Sequence, residues 1–110
     1  MSNSKHKTIR VLIVEPGKAP HSANIPAGLE SLQYQVGGLI QALYPFEDAV
    51  AIICNDEGKL LGLPWNRPLF DEDENVYDVI AGTFLVVGLT EDDFGSLTDE
   101  QIQKYTEMFQ

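Results

Sequence analysis

The sequence predicts an α+β domain, in which a mostly antiparallel or mixed sheet of four to five strands carries two main helices on one face. Three short runs rich in β-branched residues, at positions 8–15, 49–54 and 83–89, indicate buried strands. The pair Gly37-Gly38 ends a helical stripe, and Thr98 begins a capping-box pattern that starts a second helix. Because most strands follow one another without an intervening helix, this order favours α+β.

The first third of the chain opens with a basic lead-in. Residues 1–7 are polar and lack apolar periodicity, so we expect them to be disordered and the single globular domain to cover residues 8–110. Residues 18–26, after a Pro-Gly turn, are predicted to be a loop or a short extended arm. Pro26 suits the first turn of the first helix. The apolar stripe of that helix consists of Ala27, Leu29, Leu32 and Val36.

The middle of the chain predicts short strands joined by turns. Residues 39–43 are short and apolar and indicate a strand, and residues 55–58 have the Asn, Asp and Gly that favour a turn. We expect residues 59–62 to return as the second strand of a hairpin. Residues 63–69 are predicted to be a loop, because two prolines remove backbone donors and exclude a helix interior or a central strand.

The last third ends in the second helix. The acidic run 71–74 predicts an exposed turn, and residues 76–80 indicate one helical turn before the strand at 83–89. The final helix is predicted to begin after Thr98 and to run to about Phe109.

Composition indicates a cytoplasmic protein. A chain of 110 residues forms one domain, and its apolar fraction of 44% is that of a globular protein. The single cysteine, Cys54, cannot form an internal disulfide and is predicted to be a buried, inert thiol. The first apolar stretch, residues 9–14, is too short for a secretory signal, and no window approaches a membrane span.

The net charge of −10 is uneven along the chain. Residues 1–21 have four cations and one carboxylate, whereas residues 22–110 have three cations and sixteen carboxylates. Direct nucleic-acid binding is therefore disfavoured, because phosphate contacts need a cationic surface. The acidic excess is explained by a solvated surface, by a basic partner or by imitation of DNA.

The segment 62–69 contains the residues that could form a contact site. Arg67 is the only arginine after Arg10, and its guanidinium could grip an anionic or planar group, with Trp65 as a stacking wall and Asn66 as an orienting amide. The structural alternative is an ion pair between Arg67 and a nearby carboxylate such as Asp78, which would pin the segment to the following strand. The candidate binding residues are Trp65, Asn66, Arg67, Asp78, Gly82 and Thr83.

No catalytic, metal or cofactor pattern is present. The chain has neither the GxGxxG nor the GxxxxGK[ST] phosphate loop, and it has no HExxH, CxxC or calcium-loop spacing. A nucleophilic Cys54 would need a histidine partner, and His6 and His21 lie outside the strongest periodic segments. We therefore expect a protein that is not an enzyme and needs no cofactor.

Several stretches together resemble a known family. They are residues 11–17, 36–40, 44–46, 62–64, 66–67, 69, 78, 80–84 and 97–98. The pair Asn66-Arg67 followed by Gly82-Thr83-Phe84 is the most specific of them. In these the chain is similar to an uncharacterised family of small domains, a domain of unknown function, from Firmicutes phages, plasmids and conjugative elements.

The resemblance implies residence on a mobile genetic element, often near anti-restriction genes, and no established activity. The first expectation is a non-enzymatic accessory protein that binds a protein partner. The alternatives are a domain that sequesters a small ligand or nucleotide signal in a pocket near Arg67, and an acidic DNA mimic that opposes host restriction.

Overall fold

The computed structural model describes residues 7–110, which form eight strands and two helices. In chain order these are β1 (Thr8–Val14), β2 (His21–Pro26), α1 (Leu29–Val36), β3 (Ile40–Leu43), β4 (Val50–Asn55), β5 (Trp65–Phe70), β6 (Val76–Ala81), β7 (Phe84–Leu89), β8 (Phe94–Gly95) and α2 (Asp99–Met108). The central sheet has the order β2-β1-β7-β4-β3, with β8 paired to β7, while β5 and β6 form a separate two-stranded sheet. Every pairing is antiparallel, which confirms the α+β class.

The two helices lie on opposite faces of the central sheet. Helix α1 packs Leu32 into the apolar cluster that contains Leu85, whereas α2 packs Tyr105 into the cluster that contains Phe84. Leu85 and Phe84 are neighbours on β7, so their side chains point to opposite faces. The prediction of both helices on one face is therefore wrong. The reason is that all six residues of β4 are buried, and a sheet that is apolar on both faces needs cover on both.

The edge strand β2 replaces the predicted loop or arm. It pairs with β1 over six residue pairs, from Thr8↔Pro26 to Ile13↔His21. Only Ile25 of this strand is buried, so the sequence carries little apolar alternation to indicate it. Pro26 ends β2 rather than starting the helix, which begins at Leu29.

The segment after β4 also differs from the prediction. Residues 56–62 form consecutive turns instead of a returning strand, with Leu61 N donating to Glu57 O (2.9 Å) and Leu63 N to Gly58 O (3.0 Å). The strand neighbours of β4 are β3 and β7, so the hairpin proposed at this point does not form.

The predicted loop and helical turn at 63–80 form the β5–β6 hairpin. Its register includes Pro68↔Val79 and Phe70↔Val76, with irregularities between Trp65 and Pro68 and after Leu69. A two-stranded sheet has no central strand, so a proline within it is tolerated at the edge. Leu69 and Ile80 bury their side chains in the same apolar cluster as Tyr105, on the face of the central sheet that α2 covers.

The predicted end of the first helix and the predicted start of the second helix are confirmed. Gly37, at the C-cap of α1, adopts a left-handed conformation with φ of 80°. Thr98 caps α2, and its hydroxyl and the Gln101 side chain exchange hydrogen bonds with each other's backbone amides. Of the predicted disordered lead-in, residues 1–6 lie outside the described residues, and Lys7 O accepts a hydrogen bond from Ala27 N (2.9 Å).

Candidate functional site: the hairpin and its cleft

Arg67 ties the hairpin to the rest of the domain through backbone carbonyls. Its Nε donates to Phe109 O (2.6 Å), and Nη1 and Nη2 donate to Glu15 O (3.1 Å) and Lys18 O (2.6 Å). Nη1 also donates to Asn66 Oδ1 (2.7 Å). These bonds engage four of the five guanidinium N–H groups, which leaves little capacity to grip a ligand.

Asp78 does not pair with Arg67. The Asp78 carboxylate instead accepts from Lys59 Nζ at 2.6 Å, an ion pair that is partly exposed. The prediction that Arg67 clamps a carboxylate is therefore wrong in its partner. The register of the hairpin explains this, because Asp78 lies opposite Leu69, two positions from Arg67.

Asn66 and Gly82 form a second tie between the hairpin and the central sheet. Asn66 Nδ2 donates to both Val14 O and Gly82 O, each at 2.9 Å. Gly82 has φ of 88°, and a Cβ there would lie 2.7 Å from Leu63 Cδ1. Both residues are thus occupied in holding the fold between β6 and β7.

The other predicted site residues face solvent in different places. Trp65 is 65% exposed at the start of β5. Thr83 is half-buried and lines a shallow groove with Pro64 and Tyr34, and Arg67 is not among the residues that line this groove. The structure brings Asn66, Arg67 and Gly82 together but does not join Asp78 and Thr83 to them.

The hairpin exposes an unusual amount of apolar surface. Of the twelve large apolar side chains that are exposed in residues 7–110, seven belong to residues 60–79, five of them on β5 and β6 and two in the turns before β5. They are Leu60, Leu61, Trp65, Phe70, Val76, Tyr77 and Val79. The register places exposed Pro68 opposite Val79 and exposed Phe70 opposite Val76. We call Pro68, Phe70, Val76, Tyr77 and Val79 the hairpin strip.

A cleft of about 490 Å³ lies between β5, the acidic hairpin turn and the end of α2. Its volume is within the range of ligand sites. The apolar lining includes Phe46, Phe70 and Met108. The charged lining consists of Arg67, Asp71, Glu72, Glu74 and Lys104. No local pattern in the sequence indicates this cleft, because its lining comes from three separate stretches of the chain, at residue 46, at residues 67–74 and at residues 104–110.

Three hydrogen-bonded ties close a ring around this cleft. Arg67 Nε joins β5 to Phe109 O at the end of α2. Tyr105 Oη joins α2 to Asp48 Oδ2 (3.0 Å) in the loop before β4. Glu72 Oε2 accepts from Glu47 N (2.9 Å) and so joins that loop to the hairpin turn. The cleft is therefore held open by the fold itself.

The tie between α2 and the loop is stable at neutral pH. Burial raises the pKa of the Asp48 carboxyl, but hydrogen bonds from Tyr105 and Gln101 outweigh it and leave this pKa below its ordinary value. Burial, together with the bond to Asp48, raises the pKa of the Tyr105 hydroxyl. An ionised acceptor thus faces a protonated donor.

Cys54 lies within β4 and is 4% exposed, which confirms the predicted burial. Burial, with the nearby carboxylates Asp78 and Asp56, raises the pKa of its thiol to about 11. Such a thiol is a poor nucleophile at neutral pH.

In the part of the chain that the structure describes, no three His, Cys, Asp or Glu side chains come together as a metal site. Among residues 7–110, no helix has the length and apolar character needed to cross a membrane.

Fold and site together define a small α+β domain whose distinctive feature is an apolar hairpin beside an acidic cleft. The family described as domain of unknown function (DUF3846) matches residues 9–110, and the chain belongs to this family. No curated protein and no solved structure matches the chain.

Proposed function

We propose that the protein is a non-enzymatic binding module that docks a protein partner on the hairpin strip. The observation that carries this proposal is the concentration of exposed apolar side chains on one two-stranded sheet. Contiguous exposed apolar surface, especially with a polar rim, is typical of interaction sites. The resemblance to domains of mobile elements supports an accessory role in such an element.

The composition of the strip fits a protein interface. Aromatic side chains are enriched in the cores of interfaces, and the strip and its neighbour Trp65 supply three. The acidic turn at 71–74 lies at one end of the strip, so the complementary partner surface is apolar with basic residues beside it.

The alternatives find less support. Sequestration of an anionic signal by Arg67 requires free guanidinium donors, and four of its five N–H groups are engaged within the fold. DNA mimicry requires carboxylates spaced along a ridge, and it does not explain the exposed apolar strip.

Site-specific photo-crosslinking in the organism that carries the gene tests this proposal. Benzoylphenylalanine replaces Val76 or Val79 in the strip and, as a matched control, Tyr34, which is 83% exposed on α1. We expect one common protein to be crosslinked from both hairpin positions and not from Tyr34. Val79→Glu should abolish the crosslink from position 76, whereas Tyr34→Glu should not.

The opposite pattern would reject the binding module. Crosslinks that are absent from both hairpin positions, or the same from Tyr34 as from the hairpin, mean that the strip is not a docking surface. If Val79→Glu leaves the crosslink from position 76 unchanged, the strip is likewise not a docking surface.

A further inference from the structure

We infer that the cleft beside the hairpin receives a lysine or arginine side chain of the protein partner. The aliphatic stem would lie between the apolar walls, and the charged end would face the carboxylates of the hairpin turn. This inference rests on the proposed function and adds the chemistry of the residue that the partner contributes.

The walls of the cleft suit a long aliphatic stem with a cationic end. Phe70 is 47% exposed and Met108 46% exposed, and Phe46 is half-buried between them and the core. Lysine and arginine bury their methylene groups against such surfaces and keep the charge at the rim. A phenylalanine ring face near the charge adds a cation–π attraction.

The charge in the cleft favours a cation because three carboxylates line it against two cations, Arg67 and Lys104. Arg67 donates to four oxygens of the fold, and Lys104 Nζ lies 3.7 Å from Asp48 Oδ2. Within residues 7–110, none of Asp71, Glu72 and Glu74 forms an ion pair. An incoming cation therefore meets a net negative charge that is concentrated on the hairpin turn, whereas an anion meets repulsion from the three carboxylates.

The three carboxylates of the cleft differ in how many hydrogen bonds they already accept within the fold. Asp71 Oδ1 accepts from Asp73 N and Asn75 N (both 2.9 Å), and Glu72 Oε2 accepts from Glu47 N. Glu74 forms no side-chain hydrogen bond with any residue in the described range. Glu74 is therefore the carboxylate that can turn to meet the partner at no cost to the ring of ties.

The ring of ties makes the cleft a preformed receptor. Its three walls are fixed by Arg67, Asp48 and Glu72 before any partner arrives. A site that is rigid when empty loses little conformational entropy on binding, so one inserted side chain can contribute measurably to affinity.

Nuclear magnetic resonance titration with a defined peptide tests the inference. The probe is acetyl-Val-Arg-Val-Lys-amide, and the control probe is acetyl-Val-Glu-Val-Glu-amide. With ¹⁵N-labelled protein, we expect the basic peptide to shift the backbone amides of Phe70, Glu72, Glu74 and Met108 in a saturable way. The acidic peptide should leave these amides unchanged, and added salt should weaken the basic peptide.

Two pairs of variants locate the interaction in the cleft. Glu74→Gln should weaken the basic peptide about threefold, the effect of one partly exposed ion pair, whereas Asp73→Asn in the same turn, outside the cleft, should not. Met108→Lys should weaken it at least about tenfold, because the new ammonium occupies the cleft. Gln103→Lys makes the same charge change on an exposed part of α2 and should have an effect below about twofold.

Several outcomes would overturn the inference. Shifts spread over the whole acidic surface, or equal effects of Glu74→Gln and Asp73→Asn, mean non-specific attraction. Shifts of the cleft amides on dilution of the protein alone mean that a second copy occupies the cleft. If the peptide fails at the cleft while Val76 and Val79 still crosslink a partner, the cleft inference fails and the binding module stands. If the peptide binds and those crosslinks are absent, the proposed function fails instead.

Discussion

Strands β4 and β6 are each six residues long and similarly apolar, with the sequences VAIICN and VYDVIA, yet they use their side chains in opposite ways. Every residue of β4 is buried, whereas in β6 three of the first four are exposed. Strand β4 lies between two strand neighbours and buries side chains in an apolar cluster on each face, while β6 has only β5 beside it.

The difference teaches that position in the fold, more than composition, decides which apolar residues are buried. The apolar side chains of the central sheet are buried within the domain, and their burial contributes to the stability of the fold. The hairpin leaves Val76, Tyr77 and Val79 in solvent, where they contribute little to stability and are available to a partner.

Replacing one phenylalanine in each region tests this contrast most strongly. Phe84 of β7 is fully buried and packs edge-on against Phe109, with ring centroids 5.1 Å apart. We expect Phe84→Ala to lower the free energy of unfolding by about 3–5 kcal/mol, from lost transfer energy and the cavity left behind. Phe70→Ala should cost about 1 kcal/mol or less. Urea denaturation of both variants measures this, and equal losses would contradict the division into two regions.

The same contrast explains what the sequence could predict. Strands β1, β4 and β7 have a local β-branched pattern that agrees with their burial, so the pattern alone places them within about one residue. The caps at Gly37 and Thr98 are equally local, because each depends on residues within one helical turn.

The hairpin and the cleft could not be predicted in this way. In the local sequence, Pro68 disfavours a strand, because proline lacks a backbone donor. The strand forms only because β5 pairs with β6 at the edge of a sheet, where a proline is tolerated. The partners of Arg67 are carbonyls 42 to 52 residues away in sequence, and a carbonyl leaves no sign in the residue type. The amino-acid sequence suggested a carboxylate because carboxylates are the partners that can be seen in it.

Arg67 joins the two regions, so its removal should cost nearly as much as a core residue. Arg67→Ala leaves the carbonyls of Glu15, Lys18 and Phe109 without their charged donor, and we expect a loss of about 2–3 kcal/mol in the free energy of unfolding. Arg67→Lys should recover little, since a single ammonium cannot span the three.

The matched control for Arg67 is the other cation of the hairpin region. Lys59→Met removes the partly exposed ion pair with Asp78 and should cost less than about 1 kcal/mol. A thermal melt of Arg67→Ala that matches that of Lys59→Met would show that the carbonyl ties do not hold the hairpin.

The buried thiol of β4 predicts a pH dependence that belongs to the central sheet. The pKa of Cys54 is raised from 9.0 to about 11, so above pH 9 the unfolded chain loses this proton before the folded one does. Stability that is present below pH 9 is then lost as the pH rises towards 11, by about 2 kcal/mol. Cys54→Ala should show a smaller loss over this range in urea titrations at each pH. Equal slopes for the two proteins would mean that the thiol is accessible in the fold.

The cap of α2 should have a smaller effect, since it lies at the rim of the core. Thr98→Ala removes the acceptor of the Gln101 amide (3.1 Å) and should lower the free energy of unfolding by about 1 kcal/mol. Thr106→Ala, the same change inside α2, has no cap to remove and should cost less than about 0.5 kcal/mol. A Thr98→Ala midpoint equal to that of Thr106→Ala would mean that the helix end frays without consequence.

The smallest expected effect has the opposite sign and lies at the tip of the hairpin. Glu74 is the one described residue other than glycine with a positive φ, 64°, a conformation that costs an L-residue about 1–2 kcal/mol. Glu74→Gly relieves this strain but adds freedom to the unfolded chain, so we expect a net gain of about 0.5 kcal/mol. Asp73, the residue beside it, has no positive φ, so Asp73→Gly relieves no strain. It only makes the unfolded chain more flexible, and it should lower the free energy of unfolding by about 0.5–1 kcal/mol. Suppose that Glu74→Gly stabilises the fold while Glu74→Gln weakens binding of the basic peptide. The carboxylate then occupies a position at which glycine would give a more stable fold. That combination distinguishes the hairpin from the central sheet most directly, because the Glu74 side chain would then favour binding of the peptide while it lowers the stability of the fold.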